Sequence, residues 1–316
     1  MSLKSKLRKL KNTNPYLLYI WNEHRRKQGD KEHKTITDEE FITQKYKKST
    51  SFDVDLAHPK RFTQKLQWLK LFYRDERIEM CTDKYTAREY VKKAGHPEIL
   101  NELLGAYDNA EEIDLDALPE KFVLKASHGS GWNIICRDKS ELNWKMYKKI
   151  INSWMKQNLY IYGREWNYQN LKPKIIVEKY IESKNGQLTD YKIFCFNGTI
   201  AFIQVDNDRF SDHKQSYFDP DWNLLPFATG HKTQQESCPT QFEIMKQLAM
   251  ELSKPFPHVR MDFYEVDGKI YFGEFTFFDG SGFYTYDPDK WDFIWGEKLT
   301  LPEPNYNLEL FRRIQN

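Results

Sequence analysis

Residues 258–283, HVRMDFYEVDGKIYFGEFTFFDGSGF, decide how this chain folds. Two runs that alternate apolar and polar residues flank the dipeptide Asp267-Gly268. They therefore predict a β-hairpin, followed by a Gly-Ser-Gly segment. Because side chains alternate along a strand, Arg260, Asp262 and Tyr264 are expected to share one face of that hairpin.

The register of this hairpin decides where Glu274 points. A two-residue loop pairs Asp262 with Gly273 and places Glu274 on the opposite face, whereas a three-residue loop, 266–268, pairs Arg260 with Glu274. In the second register Asp262 and Glu274 lie diagonally on one face, about 7–8 Å apart at Cα. Such carboxylates can share a hard cation, and Arg260 beside them can bind phosphate. The alternative is an edge hairpin whose charges face water.

Composition limits the classes of protein to consider. The chain has 316 residues, which suffices for two or three lobes. Its net charge is +2 and its acidic and basic residues are interspersed, so the sequence gives no indication of a nucleic-acid-binding surface. The four cysteines stand far apart, which favours reduced thiols in a cytoplasmic protein over a disulfide or zinc framework. They are Cys81, Cys136, Cys195 and Cys238.

The N-terminus is basic and carries Leu3, Leu7 and Leu10 at helical spacing. Two interpretations stay open: an amphipathic helix in weak contact with an anionic membrane surface, at the inner face of the membrane, or a solvated helix packed on the body. The apolar run from Tyr16 to Trp21 is too short for a signal segment or a membrane span.

Helical patterns dominate the first third of the chain. Residues 41–73 repeat apolar positions at three- and four-residue steps, and residues 81–98 predict a helix capped by Thr82 or Asp83 that ends at Gly95. Lys84 falls in the first turn of that helix, where a cation opposes the helix dipole. An anion-binding lysine has this placement, although a lone lysine is usually just exposed.

A predicted strand, 121–125, ends in Lys125 and leads into a loop of small residues, 126–131, and a second strand, 132–136. Glycines let backbone N–H groups approach an anion while the lysine supplies charge, so this arrangement is typical of a phosphate cradle. A glycine-rich hairpin turn is the alternative. The segment lacks the GxxxxGK[ST] order of a Walker A loop.

The remaining elements alternate strands with one helix. Residues 174–182 predict a buried strand, followed by a short turn at Asn185-Gly186. Residues 190–196 and 199–205 predict a hairpin around Asn197-Gly198, in which Asp190 and Lys192 share a face. Residues 142–157 and 241–254 predict amphipathic helices, whereas 218–238 is loop-like.

Several of these stretches in order resemble the ATP-grasp superfamily, and more narrowly the TupA-like ATP-grasp proteins of teichuronopeptide and surface-polysaccharide synthesis. The resemblance covers about residues 60–290 and rests on TQKLQWLKLFYRD, DKYTAREYV, FVLKASHGSG, VEKYI, DYKIFCFNG, RMDFY and GEFTF.

The resemblance implies an α+β ATP-grasp fold in which two small α+β lobes clasp ATP after a mainly helical N-terminal region. The implied division is a helical region 1–75, a lead-in 76–118 with the first phosphate lysine, a smaller lobe 119–182, a C-terminal lobe 183–295 with the metal site, and a tail 296–316.

The resemblance also assigns roles to single residues. The implied ATP-binding residues are Lys84 and Lys125 at the phosphates, the loop His128, Gly129, Ser130 and Gly131 over them, the adenine edge Glu178, Lys179, Tyr180 and Ile181, and Asp190 as a ribose or polar partner. The implied reaction and metal residues are Lys192 and Arg260 at the transferred phosphoryl, Asp262, Glu274 and Thr276 at one or two magnesium ions, and backbone N–H groups of Ser281 and Gly282 at an oxyanion. Many ATP-grasp enzymes have asparagine where Thr276 stands, so the resemblance implies a weaker ligand there.

The implied activity is an ADP-forming carboxylate–amine ligase with an acyl-phosphate intermediate, acting in surface-polysaccharide synthesis on a uronic acid or acidic amino acid and an amino-acid amine. An ATP-dependent kinase on the same fold and a non-catalytic sugar-binding or glycosyltransferase-associated protein are the alternatives. Candidate substrate contacts are Arg209, His213, Tyr217, Phe218, Trp222 and His231. Asp53-Val54-Asp55 has the spelling of a glycosyltransferase metal motif but lies in a polar segment without a strand pattern.

Overall fold

The structure is a computed structural model and describes residues 14–33, 35–183, 188–207 and 214–315. The chain divides into two compact units. The first unit comprises Met1–Thr37, Asp83–Tyr85 and Asn101–Tyr180; the second comprises Asp38–Thr82, Thr86–Leu100 and Ile181–Asn316. Each unit contains one antiparallel sheet together with helices, which confirms the α+β class.

The described residues form both long and very short helices. They are α1 Pro15–His33, α2 Asp38–Thr50, α3 Phe62–Phe72, α4 Glu76–Thr82, α5 Ala87–Lys93, α6 Trp144–Trp154, α7 Tyr160–Gly163, α8 Phe242–Ser253, α9 Lys290–Lys298 and α10 Leu308–Gln315. None of these helices in the described part of the chain is both long and apolar enough to cross a bilayer.

The strands follow the same chain order. They are β1 Leu103–Tyr107, β2 Phe122–Ala126, β3 Asn133–Cys136, β4 Ile175–Lys179, β5 Asp190–Phe196, β6 Thr199–Asn207, β7 Lys214–Phe218, β8 His258–Val266 and β9 Lys269–Thr276.

The first unit is a four-stranded sheet in the order β1-β4-β2-β3. Phe122 and Leu124 on β2 and the nearly continuous apolar run of β4 are buried, as their alternation and composition predict. Ile150 and Trp154, on the predicted apolar stripe of α6, complete the same core.

The second unit is a five-stranded sheet in the order β7-β6-β5-β8-β9. Helix α8 packs against β5, β6 and β8, and the Cys195 thiol on β5 reaches the Ala249 carbonyl of that helix at 3.9 Å. Residues of β5 that alternate with Cys195 therefore point to the other face of the sheet. The polar residues described below occupy that other face.

Three sequence predictions need correction. β1 and β7 were not predicted, because each is short and lies beside residues that read as a connection. The helix expected from a cap at Thr82 or Asp83 to Gly95 is shorter: α5 runs only from Ala87 to Lys93, after α4 has ended at Thr82. Lys84 therefore lies in the turn that joins α4 to α5, so the argument from the helix dipole does not apply to it.

Candidate active site

The β8–β9 hairpin combines a tight turn with a bulge. Asp267 and Gly268 both have positive φ, at 52° and 77°, which gives the two-residue turn Val266–Lys269. The register then shifts at Gly273, so that Asp262 lies directly opposite Glu274. Both registers considered from the sequence are wrong, because neither included a bulge.

The bulge returns Glu274 to the face that carries Asp262. An added Cβ at Gly273 would meet the carbonyl oxygen of Asp262 at 3.0 Å, so glycine suits this crowded position. Across the sheet, the pairings then align one polar row over all five strands. From β7 to β9 the row is Tyr217, Gln204, Lys192, Asp262 and Glu274.

Lys192 is the centre of this row. Its Nζ lies 2.6 Å from Asp190, 3.3 Å from Asp262 and 3.4 Å from Asp206, and its side chain is only 4 % exposed. Burial alone lowers the pKa of Lys192, but Asp262 and Asp190 raise it more, so the amine is held protonated. The predicted shared face of Asp190 and Lys192 is confirmed.

Arg260 contacts all three candidate ligands of magnesium, Asp262, Glu274 and Thr276. It donates to both Asp262 oxygens at 2.7 Å and to the Thr276 hydroxyl at 3.1 Å, and Glu274 lies 3.8 Å away. Burial lowers the pKa of Arg260, but the opposing effect of Asp262 is larger. The net result is a pKa well above the usual range of arginine. Burial raises the pKa of Asp262, against the effect of Arg260 and Lys192.

This donor set fits magnesium by charge and by ligand type. Two buried cations, Lys192 and Arg260, lie within 4 Å of four carboxylates on this face, those of Asp190, Asp206, Asp262 and Glu274. The formal charge of these six groups together is −2. Asp262, Glu274 and Thr276 offer hard oxygen ligands, and Mg²⁺ completes its shell with waters and phosphate oxygens. No cluster of three or more His, Cys, Asp or Glu ligands occurs in the described ranges.

Residues 83–85, in the turn between α4 and α5, belong to the first unit and form hydrogen bonds with the small-residue loop of that unit. Lys84 donates from Nζ to the Gly129 carbonyl at 2.7 Å and from its backbone N–H to the Ser127 carbonyl at 3.1 Å. The Ser127 hydroxyl donates to Asp83 at 2.5 Å. Lys84 thus lies beside the loop, as predicted, while Asp83 was considered only as a helix cap.

The loop itself is shaped by Trp132. An added Cβ at Gly129 would lie 2.0 Å from the Trp132 ring, and Gly131 has a φ of 70°, so both positions require glycine. The His128 ring is buried, with Nε2 3.1 Å from the Trp154 carbonyl, and burial lowers its pKa. Only Ser130 and Gly131 of the predicted loop are exposed.

The predicted adenine edge is partly occupied by contacts within the first unit. Lys125 donates to Glu178 at 2.7 Å. The Lys125 side chain is 26 % exposed and that of Glu178 is 9 % exposed, so a buried carboxylate fixes the position of Lys125. Lys179 pairs with Glu102 at 3.0 Å and its backbone N–H donates to the Glu102 carbonyl at 3.0 Å. The Tyr180 hydroxyl accepts from Arg137 at 3.2 Å. Ile181 has no regular secondary structure and begins the next part of the second unit.

The predicted oxyanion donors need a correction. The Ser281 N–H already donates to the Phe278 carbonyl at 2.9 Å, so it is not available to an oxyanion in this conformation. Gly282 follows with a φ of 64°. The prediction failed for Ser281 because a three-residue run of positive φ turns that N–H back into the loop.

The candidate substrate contacts separate into buried and exposed residues. Tyr217 and Phe218 are buried core residues, Trp222 stacks on Phe218 at 4.6 Å between ring centroids, and His231 is exposed. Arg209 and His213 lie outside the described residues, as does the predicted turn at 185–186.

The polar segment 53–55 uses its carboxylates locally. Asp53 pairs with Lys47 at 2.8 Å, and Asp55 accepts from the backbone N–H of His58 at 2.8 Å. Both carboxylates therefore have partners of their own, as expected of a loop.

The sequence argument did not use Gln204 or Asp206, which belong to the same polar face. Asp206 accepts from the amides of Gln204 and Gln215 at 3.1 and 3.0 Å. The alternation of Gln204 and Asp206 along β6, in phase with Lys192 across the hairpin, is the signal that would have found them.

Comparison with known proteins gives one family and several distant structures. A family model described as TupA-like ATPgrasp matches residues 64–300. No curated protein sequence matches the chain.

Solved structures resemble the fold at low identity. A D-alanine–D-alanine ligase from Bacillus anthracis complexed with ATP is 16 % identical, with a TM-score of 0.40 over 62 % of this chain and 55 % of that chain. The corresponding ligase from Helicobacter pylori is 15 % identical, with a TM-score of 0.43 over 78 % and 68 %. A phosphoribosylamine–glycine ligase from Thermotoga maritima is 11 % identical, with a TM-score of 0.39 over 64 % and 48 %. The matches thus span little more than half the length of the B. anthracis ligase.

Proposed function

Because this chain belongs to the TupA-like ATP-grasp family, we propose that it is an ATP-dependent carboxylate–amine ligase. The substrate carboxylate attacks the γ-phosphoryl group of ATP, which gives an acyl phosphate and ADP. The amine then attacks the acyl carbon, the C–N bond forms and phosphate leaves. The protein contributes chiefly position and charge to these steps.

The first unit supplies the cations for the ATP phosphates in this proposal. Lys125 is partly exposed and held by Glu178, and Lys84 is held by the Gly129 carbonyl, so both ammonium groups are positioned before nucleotide arrives. Ser130 and Gly131 lie exposed beside them, where backbone N–H groups can approach an anion.

The second unit supplies the groups for phosphoryl and acyl transfer. Asp262, Glu274 and the Thr276 hydroxyl would hold magnesium, which supplies positive charge to the phosphates. Lys192 and Arg260 stabilise the negative charge of the transferred phosphoryl and of the tetrahedral oxyanion. The observation that carries the proposal is the polar face of the five-stranded sheet, on which the buried cations Lys192 and Arg260 both contact the Asp262 carboxylate.

The proposed substrates are those that the resemblance implies: a uronic acid or acidic amino acid as the carboxylate, and an amino acid as the amine, in surface-polysaccharide synthesis. The carboxylates on this face of the sheet outnumber the cations, which suits an amine, and the two cations Lys192 and Arg260 suit a carboxylate. The proposed location is the cytoplasm, with weak contact at the inner membrane surface.

Helix α1 supports that membrane contact. Tyr16 and Ile20 are 60 % and 61 % exposed on α1, and no acidic residue precedes Glu23, whereas five lysines and arginines do. Aromatic and aliphatic side chains beside cations favour the interface of an anionic bilayer.

Glu274→Gln tests the proposed function. We expect ADP release with a panel of uronic and amino acids to fall at least about a hundredfold. The reason is that the proposed magnesium ion, which offsets negative charge in the transition state, would lose one of its ligands. The magnesium-dependent rise in melting temperature with ATP should shrink as well. Glu265→Gln is the matched control, since Glu265 lies on the same hairpin but bonds the start of α8. Unchanged ADP release in Glu274→Gln would refute the assignment.

A further inference from the structure

Asp279 is a buried carboxylate that the proposed function leaves without a role. It follows β9 by three residues and is 8 % exposed. Within the described ranges, its Oδ1 and both ring nitrogens of His258 have no hydrogen-bond partner. His258 Nε2 lies 3.8 Å from Asp279 Oδ1, beyond hydrogen-bond distance. A buried acceptor of this kind normally has a donor, so its environment calls for one.

The buried His258 ring closes one side of Asp279 to a hydrogen-bond donor from solvent. Its side chain is 0 % exposed, and its ring packs against Phe62 and Phe196 at centroid distances of 5.1 and 5.4 Å. The side chain of Asp279 keeps 10 % exposure. The imidazole and Asp279 Oδ1 are both closed to solvent, so a ligand can approach Asp279 only at the exposed remainder of its side chain.

The backbone that presents Asp279 is strained and secured. Gly280, Ser281 and Gly282 have φ values of 51°, 55° and 64°, and a left-handed serine costs about 1–2 kcal/mol. Two buried side chains of α3 hold this turn: Gln67 donates to the carbonyls of Ser281 and Gly282 at 3.1 and 2.9 Å, and Lys70 donates to Ser281 at 2.7 Å. Strain fixed in this way clusters at functional sites.

Charged and titratable groups of the neighbouring elements lie within electrostatic range of Asp279. They are His258 and Arg260 of β8, Tyr217 of β7, and Tyr284 and Tyr286 of the following segment. Burial first, and then Asp279, raise the pKa values of Tyr284 and Tyr286 well above the usual range. Both phenols remain protonated, so neither can accept a proton at neutral pH, whereas a carboxylate can.

Resting on the ligase function above, we propose that Asp279 binds the ammonium group of the amine substrate and accepts its proton, with His258 as a positioning residue. The N–H bond breaks towards an Asp279 oxygen, and the freed nitrogen lone pair attacks the acyl-phosphate carbon. The C–N bond forms as the C–O bond to phosphate breaks, and phosphate leaves with that electron pair and takes up the second proton, which the nitrogen loses on becoming an amide. His258 and Arg260 alternate along β8 and therefore share a face, so the His258–Asp279 pair lies next to Arg260.

Hydroxylamine separates this proposal from the ligase function. It is uncharged at neutral pH and attacks acyl phosphates without help from a base, whereas ammonium and glycine must first lose a proton. Asp279→Asn should keep the rate of hydroxamate formation, with ATP and the acid panel, within about twofold of wild type. Its rate with ammonium or glycine should fall about 10²–10⁴-fold and recover in part as pH rises.

His258→Phe should lower the ratio of the amine rate to the hydroxylamine rate in the same direction, whereas a general loss of structure lowers both rates. Asp221→Asn, at an exposed carboxylate of the second unit, is the control and should leave the ratio unchanged.

An unchanged ratio in Asp279→Asn, or an equal loss of both rates, overturns the role of Asp279. Hydroxamate without any amide from ammonium or glycine in the wild type also overturns it, because a built-in base should activate protonated amines. No hydroxamate from any acid, in protein that binds Mg·ATP, refutes the ligase function and this inference with it.

Discussion

The two units hold their lysines in opposite ways. In the first unit, Lys125 is 26 % exposed and bonds one carboxylate, Glu178. In the second unit, Lys192 is 4 % exposed and lies within 3.4 Å of three carboxylates. A half-exposed lysine can turn towards a polyanion that arrives from solvent, whereas a buried one is a fixed charge. The difference suggests that the first unit captures nucleotide and the second arranges the reaction.

The largest expected effect is at Lys192. Lys192→Met leaves buried carboxylates without their central cation, and we expect a loss of about 3–5 kcal/mol in the free energy of unfolding, measured by urea denaturation. The matched variant Lys179→Met breaks the exposed pair with Glu102, whose side chains are 63 % and 59 % exposed, and should cost at most about 1 kcal/mol. Equal losses in both variants would remove the contrast between the two units.

Lys125→Ala should affect nucleotide affinity more than stability. Loss of a charge-assisted bond to phosphate, about 1.5–3 kcal/mol, weakens ATP binding roughly ten- to a hundredfold in calorimetric titration. Glu178 also loses its bond to Lys125. We therefore expect the urea midpoint to fall as well, but by less than in Lys192→Met. Lys145→Ala, at an exposed lysine of α6 in the first unit, is the control. Wild-type ATP affinity in Lys125→Ala would assign the phosphates to another cation.

The smallest expected effect concerns two exposed apolar residues, one in each unit. Ile20→Ser on α1 should reduce cosedimentation with vesicles of phosphatidylcholine and phosphatidylserine by a few-fold, because burying one such side chain contributes about 1.5–3 kcal/mol at most. Ile244→Ser on α8, at a residue 48 % exposed, should leave it unchanged. Equal binding to vesicles of phosphatidylcholine alone would argue against the electrostatic part of the contact.

Sequence reasoning worked where a local pattern had a single structural outcome. The buried stripes of α6 and α8 follow from the helical period, and the Asn197-Gly198 turn follows from the need for positive φ at both residues, at 49° and 77°. It failed where an element's length or a bulge was decisive. β7 is five residues long and carries Lys, Gln and Ser, so only its pairing with β6 identifies it as a strand.

The candidate site shows the same division. The sequence selected Lys84, Lys125, Lys192, Arg260, Asp262 and Glu274 by residue type and by resemblance. It did not locate Asp206 beside Lys192 or Gln67 beneath Ser281, because those contacts join residues that are far apart in the chain. The roles of the candidate residues in binding ATP and magnesium stay predictions.

By itself, the sequence determined most of the elements and the residue types on the hairpin, because periodicity and turn chemistry are local properties. The α+β class came from its resemblance to the ATP-grasp superfamily. The tertiary structure decided that Asp262 faces Glu274, that Lys192 is surrounded by carboxylates, and that Asp279 lies next to His258. A bulge shifts every later side chain to the other face of a strand, and no local pattern fixes which strands become neighbours. Those two choices depend on packing the whole sheet.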